Sequence, residues 1–194
     1  MILMQSDVRG CSPTKIILVT GPSSSGKSEL AEALAARSNQ KVIYIATAQV
    51  DPTDHEWQAK IAKHFSRRPP SWQTVSASGE LSIYLDRASV SECLLIDSLG
   101  TWVANFMESN QAQWQQICDR LLTSLVNTSA SVILVSEETG WGVVPAYPLG
   151  RLFRDRLGKL SRQISNMADV TYLVAGGHVI NLSLWGEPLS KYGI

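Results

Sequence analysis

An apolar run of strand length, Lys15-Ile16-Ile17-Leu18-Val19-Thr20, leads directly into Gly21-Pro22-Ser23-Ser24-Ser25-Gly26-Lys27-Ser28. The run is rich in β-branched residues. The segment behind it, Glu29-Leu30-Ala31-Glu32-Ala33-Leu34-Ala35-Ala36, is made of strong helix formers. Strand, glycine loop and helix in that order constrain the fold more than any other feature of the chain. The pattern G-x-x-x-x-G-K-S is that of a phosphate-binding P-loop. Gly21 and Gly26 let the backbone curl around a phosphate chain with its N–H groups turned inward. The start of the following helix adds a positive dipole end. Gly21, Pro22, Ser23, Ser24, Ser25, Gly26, Lys27 and Ser28 are therefore expected to bind a nucleotide. Lys27 would reach the β- and γ-phosphates as a catalytic group, and the Ser28 hydroxyl would hold Mg²⁺.

Strands and helices alternate along the rest of the chain. Strands are expected at 42–47, 72–77, 93–97, 131–136 and 170–175, and helices at 54–65, 80–88, 98–109, 111–126 and 151–167. A loop rich in Gly and Pro fills 137–150. Gly176-Gly177 turns the chain back into 179–185, where Ile180, Leu182 and Leu184 alternate with Asn181 and Ser183. The pattern predicts an α/β fold, a P-loop NTPase-like (RecA-like) three-layer sandwich. Its sheet would be mostly parallel, with an antiparallel C-terminal edge strand. Residues 15–194 read as one domain behind a poorly ordered polar tail at 1–14.

Ligands of such sheets bind beyond the carboxyl ends of the strands. The P-loop, Thr47, Asp97 and Glu137 all fall at predicted strand ends. Asp97 closes an apolar strand, where P-loop proteins keep the carboxylate that faces Mg²⁺. The competing role is a cap for the helix that follows.

The chain has no net charge, so nothing in its balance points to nucleic acid or an anionic membrane as partner. No apolar run is long enough to span a bilayer. Cys11, Cys93 and Cys118 are odd in number and form no C-x-x-C, which fits free thiols in a reducing cytoplasm.

In the segment 54–65, Glu56, Lys60 and His64 recur every four residues and share one helix face. Trp57, Ile61 and Phe65 share the adjacent, core-type face. A neutral imidazole can attack phosphorus, but spacing alone leaves His64 between nucleophile and plain surface histidine. Arg67 and Arg68 follow, as triphosphate partners or as a solvated basic turn. Arg151, Arg154 and Arg156 are further phosphate candidates, although at these spacings some must face solvent or pair with Asp155. Two broader classes stay open on the residues alone. One is a different small-molecule P-loop kinase, which needs no His64. The other is a nucleotide-dependent binding switch, for which an N-K-x-D motif would speak; the chain has none.

Five stretches in order carry a resemblance. They are Ile17 to Gly21 with the P-loop; Tyr44-Ile45-Ala46-Thr47-Ala48; Asp54-His55-Glu56-Trp57 through Ile61, His64, Arg68-Pro69 and Trp72; Leu95-Ile96-Asp97 with Trp102 and Asn105; and Glu138-Thr139-Gly140-Trp141-Gly142-Val143-Val144-Pro145 leading to Phe153-Arg154-Asp155 and Gly158. With these the chain resembles the bifunctional adenosylcobinamide kinase / adenosylcobinamide-phosphate guanylyltransferase family of cobalamin biosynthesis. The resemblance implies phosphorylation of adenosylcobinamide, a corrinoid, by ATP or GTP. It also implies transfer of GMP from GTP, through a guanylylated histidine, to adenosylcobinamide phosphate. The family histidine falls on His64, and Thr47, Ala48, Arg68 and Pro69 fall in nucleotide-contacting segments, with Asp97 beside them. A homotrimer is implied as well. Ser76 stands where the family usually has an acid, Lys60 where it usually has Arg, and Arg162-Gln163 where it has Asn-Gln.

Overall fold

The computed structural model describes residues 15–49 and 68–193. The tail at 1–14 and the helix expected at 54–65, with His55, His64 and the adjoining Arg67, lie outside the described residues.

The chain order is β1 (Ile16–Gly21), α1 (Lys27–Ala36), β2 (Lys41–Ala46), β3 (Gln73–Ser76), α2 (Ser82–Arg87), β4 (Glu92–Asp97), α3 (Leu99–Ala104), α4 (Gln111–Asn127), β5 (Ser131–Glu137), α5 (Pro148–Met167), β6 (Val170–Ala175), β7 (His178–Asn181) and α6 (Leu182–Trp185), with a final 3₁₀ turn at Leu189–Tyr192. The strands form one seven-stranded sheet in the order β3-β2-β4-β5-β1-β6-β7. Every pairing is parallel except β6 with β7. The inner strands are unbroken apolar runs because helices cover both their faces.

Alternation with period two splits the core into two layers. On one face Leu18, Leu94, Ile96, Val132 and Leu134 pack against Leu85, Trp102, Leu121, Leu157 and Leu160 from α2 to α5. On the other, Val19, Tyr44, Leu95, Ile133 and Val135 pack against Ala31 and Ala35 of α1. Small side chains on α1 let that helix, and the loop that starts it, lie close on the sheet. Trp102 and Trp114 are core residues, their rings 5.9 Å apart. Trp141 and Trp185 are exposed.

The expected α/β class and antiparallel edge strand are found, and three elements differ from expectation by three residues or more at one end. The last strand stops at Asn181, because its side-chain oxygen accepts from the Leu184 N–H at 3.0 Å and starts the helical turn α6. The helix expected over 98–109 ends at Ala104. Beyond it Arg156 binds the carbonyls of Phe106 and Ser109, at 2.8 and 2.6 Å, and holds them in turns. α5 begins at Pro148, because proline at the first helical position has no N–H to leave unpaired.

Candidate nucleotide site

β1 delivers the P-loop to the carboxyl edge of the sheet. Gly26 is the N-cap of α1 at φ 95, a left-handed conformation that L side chains resist. Gly21 lies so close to the end of β6 that a Cβ there would collide with the Val174 carbonyl. Its own carbonyl accepts from the Glu138 N–H at 2.9 Å, and Thr20 Oγ1 donates to Glu138 Oε1 at 2.7 Å. The loop is thus fastened to the strands on either side of β1. Within it, the Ser25 N–H donates to the Pro22 carbonyl at 3.3 Å. Lys27 is buried, and its Nζ donates to the same carbonyl at 3.3 Å. The first N–H groups of α1 have no acceptor inside the helix, so their partial positive charge faces the loop. The Ser25 hydroxyl is buried without a hydrogen-bond partner among the described residues. An unpaired donor in that position suits a phosphate oxygen.

Asp97, Glu137 and Gly21 close three adjacent strands. Asp97 follows Leu95 and Glu137 follows Val135 by two residues, so both carboxylates project on the α1 face of the sheet. The register sets Gly21 opposite Glu137, and Asp97 opposite Val135. Glu137 Oε2 accepts from the Gly100 N–H at 2.9 Å. Burial pushes the Glu137 carboxyl above the usual range, while the Ser98 hydroxyl and the Lys27 charge pull it partly back. Glu137 therefore feels the Lys27 and Asp97 charges together.

Asp97 does not cap α3. Ser98 does, through a reciprocal pair with Thr101. Asp97 Oδ2 instead accepts from the Tyr44 hydroxyl at 2.8 Å. Burial above all, then the neighbouring Asp97 charge, raises the Tyr44 phenol well beyond its ordinary range, so it stays a donor. The Arg68 guanidinium lies 3.3 Å from the centroid of the Tyr44 ring.

Of the other expected contacts, Ala48, Pro22 and Ser28 are half-buried, and Ser23, Ser24 and Pro69 are exposed. Thr47 is fully buried, with its hydroxyl bound to Ser98 and Thr101. It shapes the site from behind. His64 lies outside the described residues. The arginines of α5 divide cleanly. Arg156 is buried over Trp114 and serves the scaffold. Arg151 binds the carbonyls of Pro145 and Ala146. Arg154 binds the Gly140 carbonyl, with a second guanidinium nitrogen buried and without a hydrogen-bond partner among the described residues.

Among the described residues, no group of three or more His, Cys, Asp or Glu side chains forms a metal cage. The Ser28 hydroxyl and the remaining oxygen of Asp97 are hard oxygen donors. They fit Mg²⁺, which takes few protein ligands and otherwise uses water and substrate phosphates. Sequence reasoning placed Glu137 at this edge without giving it a role, and it read Tyr44 as part of a strand and of a family stretch, with no role of its own. The apolar neighbours of Tyr44 hide its polar tip.

Residues 17–182 match the family model described as "Cobinamide kinase / cobinamide phosphate guanyltransferase". The chain is 41% identical over 175 residues to the bifunctional adenosylcobalamin biosynthesis protein CobP of Pseudomonas aeruginosa, covering 89% of this chain and 98% of that one. It is 35% identical over 178 residues to the bifunctional adenosylcobalamin biosynthesis protein CobU of Escherichia coli, covering 84% and 96%. A solved Pyrococcus horikoshii structure shares the fold, with a TM-score of 0.53 at 6% identity over 87% of this chain and 85% of that one.

Proposed function

The chain belongs to the cobinamide kinase / cobinamide phosphate guanyltransferase family, and we propose that it performs both reactions at the carboxyl edge of its sheet. The observation that carries this is the gathering of the P-loop, Lys27, Asp97 and Glu137 on one face, with Arg68 stacked on the tyrosine that touches Asp97.

In the kinase step, the aminopropanol hydroxyl of adenosylcobinamide attacks the γ-phosphorus of ATP or GTP, and the nucleoside diphosphate leaves. In the transferase step, a neutral His64 nitrogen bonds to the α-phosphorus of GTP, and the bond to the β-phosphate oxygen breaks to release pyrophosphate. The GMP then passes to the phosphate of adenosylcobinamide phosphate, giving adenosylcobinamide-GDP. The covalent step divides one difficult transfer into two easier ones. Loop N–H groups, the orphan Ser25 hydroxyl and Lys27 stabilise charge on the phosphates. Arg68 adds a fixed positive charge over the Tyr44 ring, whose hydroxyl meets Asp97. Thr47, Ala48 and Pro69 shape the walls. Mg²⁺, when bound by Ser28 and through water by Asp97, supplies charge neutralisation on the phosphates.

No helix among the described residues is long and apolar enough to cross a membrane. A cytoplasmic homo-oligomer, a trimer by resemblance, suits the exposed apolar side chains Leu184, Trp185 and Tyr192 near the C-terminus.

Incubation with α-labelled GTP and Mg²⁺, followed by denaturation, is expected to leave an acid-labile, base-stable adduct that His64→Ala lacks. A wild-type protein that takes up no label overturns the transferase half. Lys27→Ala is expected to slow cobinamide phosphorylation by roughly 10²–10³-fold, as loss of a preorganised charge stabiliser does.

A further inference from the structure

We infer that Tyr44 is a positioning residue for the metal-side carboxylate, its hydroxyl pinning one oxygen of Asp97 while its ring face seats Arg68. The inference rests on reading Asp97 as the carboxylate that meets Mg²⁺ through water.

Tyr44 lies on β2, between Val42 and Ala46 on the apolar α1 face, and is 3% exposed. Phenylalanine would fill that space without carrying a polar atom into the core, where an unpaired hydroxyl is costly. The hydroxyl is instead donated to Asp97 Oδ2 at 2.8 Å. The register explains the reach. β2 and β4 are neighbours, with Tyr44 opposite Leu95 and Ala46 opposite Asp97. The ring must therefore extend two residues along the strand to meet the carboxylate, and the tyrosine carries its donor at the end of a rigid side chain long enough to do so. One oxygen of Asp97 is then fixed, and the other is left for a metal-bound water. Donors of this kind orient and tune metal-facing carboxylates. The opposite function of the same ring is set by Arg68, 3.3 Å above its centroid. Tyr44 thus links the metal-side carboxylate to the residue that follows the His64 segment.

The test uses the full chain with α,β-methylene GTP, which the histidine cannot open, and Mn²⁺ as a paramagnetic probe counted by electron paramagnetic resonance. Tyr44→Phe keeps the ring under Arg68 and removes only the donor. It is expected to weaken Mn²⁺ binding about tenfold or more, with nucleotide binding in EDTA within about twofold of wild type. Asp97→Asn serves as the reference and is expected to weaken Mn²⁺ at least as much. Unchanged Mn²⁺ affinity in Tyr44→Phe, with a loss in Asp97→Asn, overturns the role of Tyr44 alone. Unchanged affinity in Asp97→Asn overturns the metal reading and this inference with it. An equal loss of metal-free nucleotide binding in Tyr44→Phe marks a purely structural tyrosine and also overturns the inference.

Discussion

The Thr47 hydroxyl donates to the Ser98 carbonyl at 2.6 Å and stands 2.9 Å from the Ser98 N–H, which donates back to it. The two residues lie just past the ends of β2 and β4, so this exchange stitches together the edge on which Asp97 stands. Both Thr47 and Ser98 are buried. Thr47→Val keeps the shape and removes both bonds, leaving the Ser98 carbonyl to the Trp102 N–H and the Ser98 N–H to the Thr101 hydroxyl. It is expected to lower stability by about 1–3 kcal/mol. Thr47→Ser is expected to recover most of that loss. Urea unfolding of the three proteins measures it.

Glu137 gives a pH signature. Burial raises its folded-state carboxyl above the unfolded value. The folded state therefore holds a proton that the unfolded state releases more easily, and stability falls as pH rises from the unfolded pKa through the folded one. Glu137→Gln cannot titrate but still offers an oxygen to the Gly100 N–H. Its stability relative to wild type is expected to climb with pH from the ordinary glutamate range, near about 4.3, and then level off. Denaturation midpoints compared across that window decide it, and a flat difference would contradict the burial of a titrating carboxyl.

Arg156 and Arg151 should separate in a simple stability assay. Arg156 is 4% exposed and serves two backbone carbonyls. Arg156→Ala takes the guanidinium from the Ser109 carbonyl and leaves the Phe106 carbonyl with the Ser109 N–H alone, and it is expected to cost about 2–4 kcal/mol. Arg151 is exposed, and Arg151→Ala is expected to change stability by less than about 1 kcal/mol. Equal effects would refute the scaffold role of Arg156.

Cys93 and Cys118 are buried. Desolvation by burial, with the Asp119 charge adding to it, pushes the Cys118 thiol up to about 12, and burial also raises Cys93. Only the thiolate reacts readily. Both are expected to resist iodoacetamide at pH 8 in the native protein and to react in urea. Peptide mass spectrometry reads each one separately.

Much of this architecture was legible because it is local. The P-loop, its strand and its helix are contiguous, and the Gly176-Gly177 turn announced the β6–β7 hairpin. What stayed hidden depends on order and register between distant segments. Periodicity identifies β2 and β4 as strands but does not say that they are neighbours, so Tyr44 could not be paired with Asp97. The end of α3 was invisible for a similar reason, since the side chain that arrests the turns after it, Arg156, lies 50 residues beyond Phe106. At β7 the apolar alternation outlasted the strand, and one hydrogen bond from the Leu184 N–H to Asn181 outweighed it. The role of His64 was read from resemblance, and that role is what the labelling experiment tests.

The stacking of Arg68 on Tyr44 acts as a mooring. His64 precedes Arg68 by four residues, and four residues of fully extended chain span at most about 14 Å. That leash is covalent: whatever path the intervening backbone takes, the Cα of His64 can stand no farther than this from the Cα of Arg68. Lengthening that leash would loosen the delivery of His64 while leaving the glycine loop untouched.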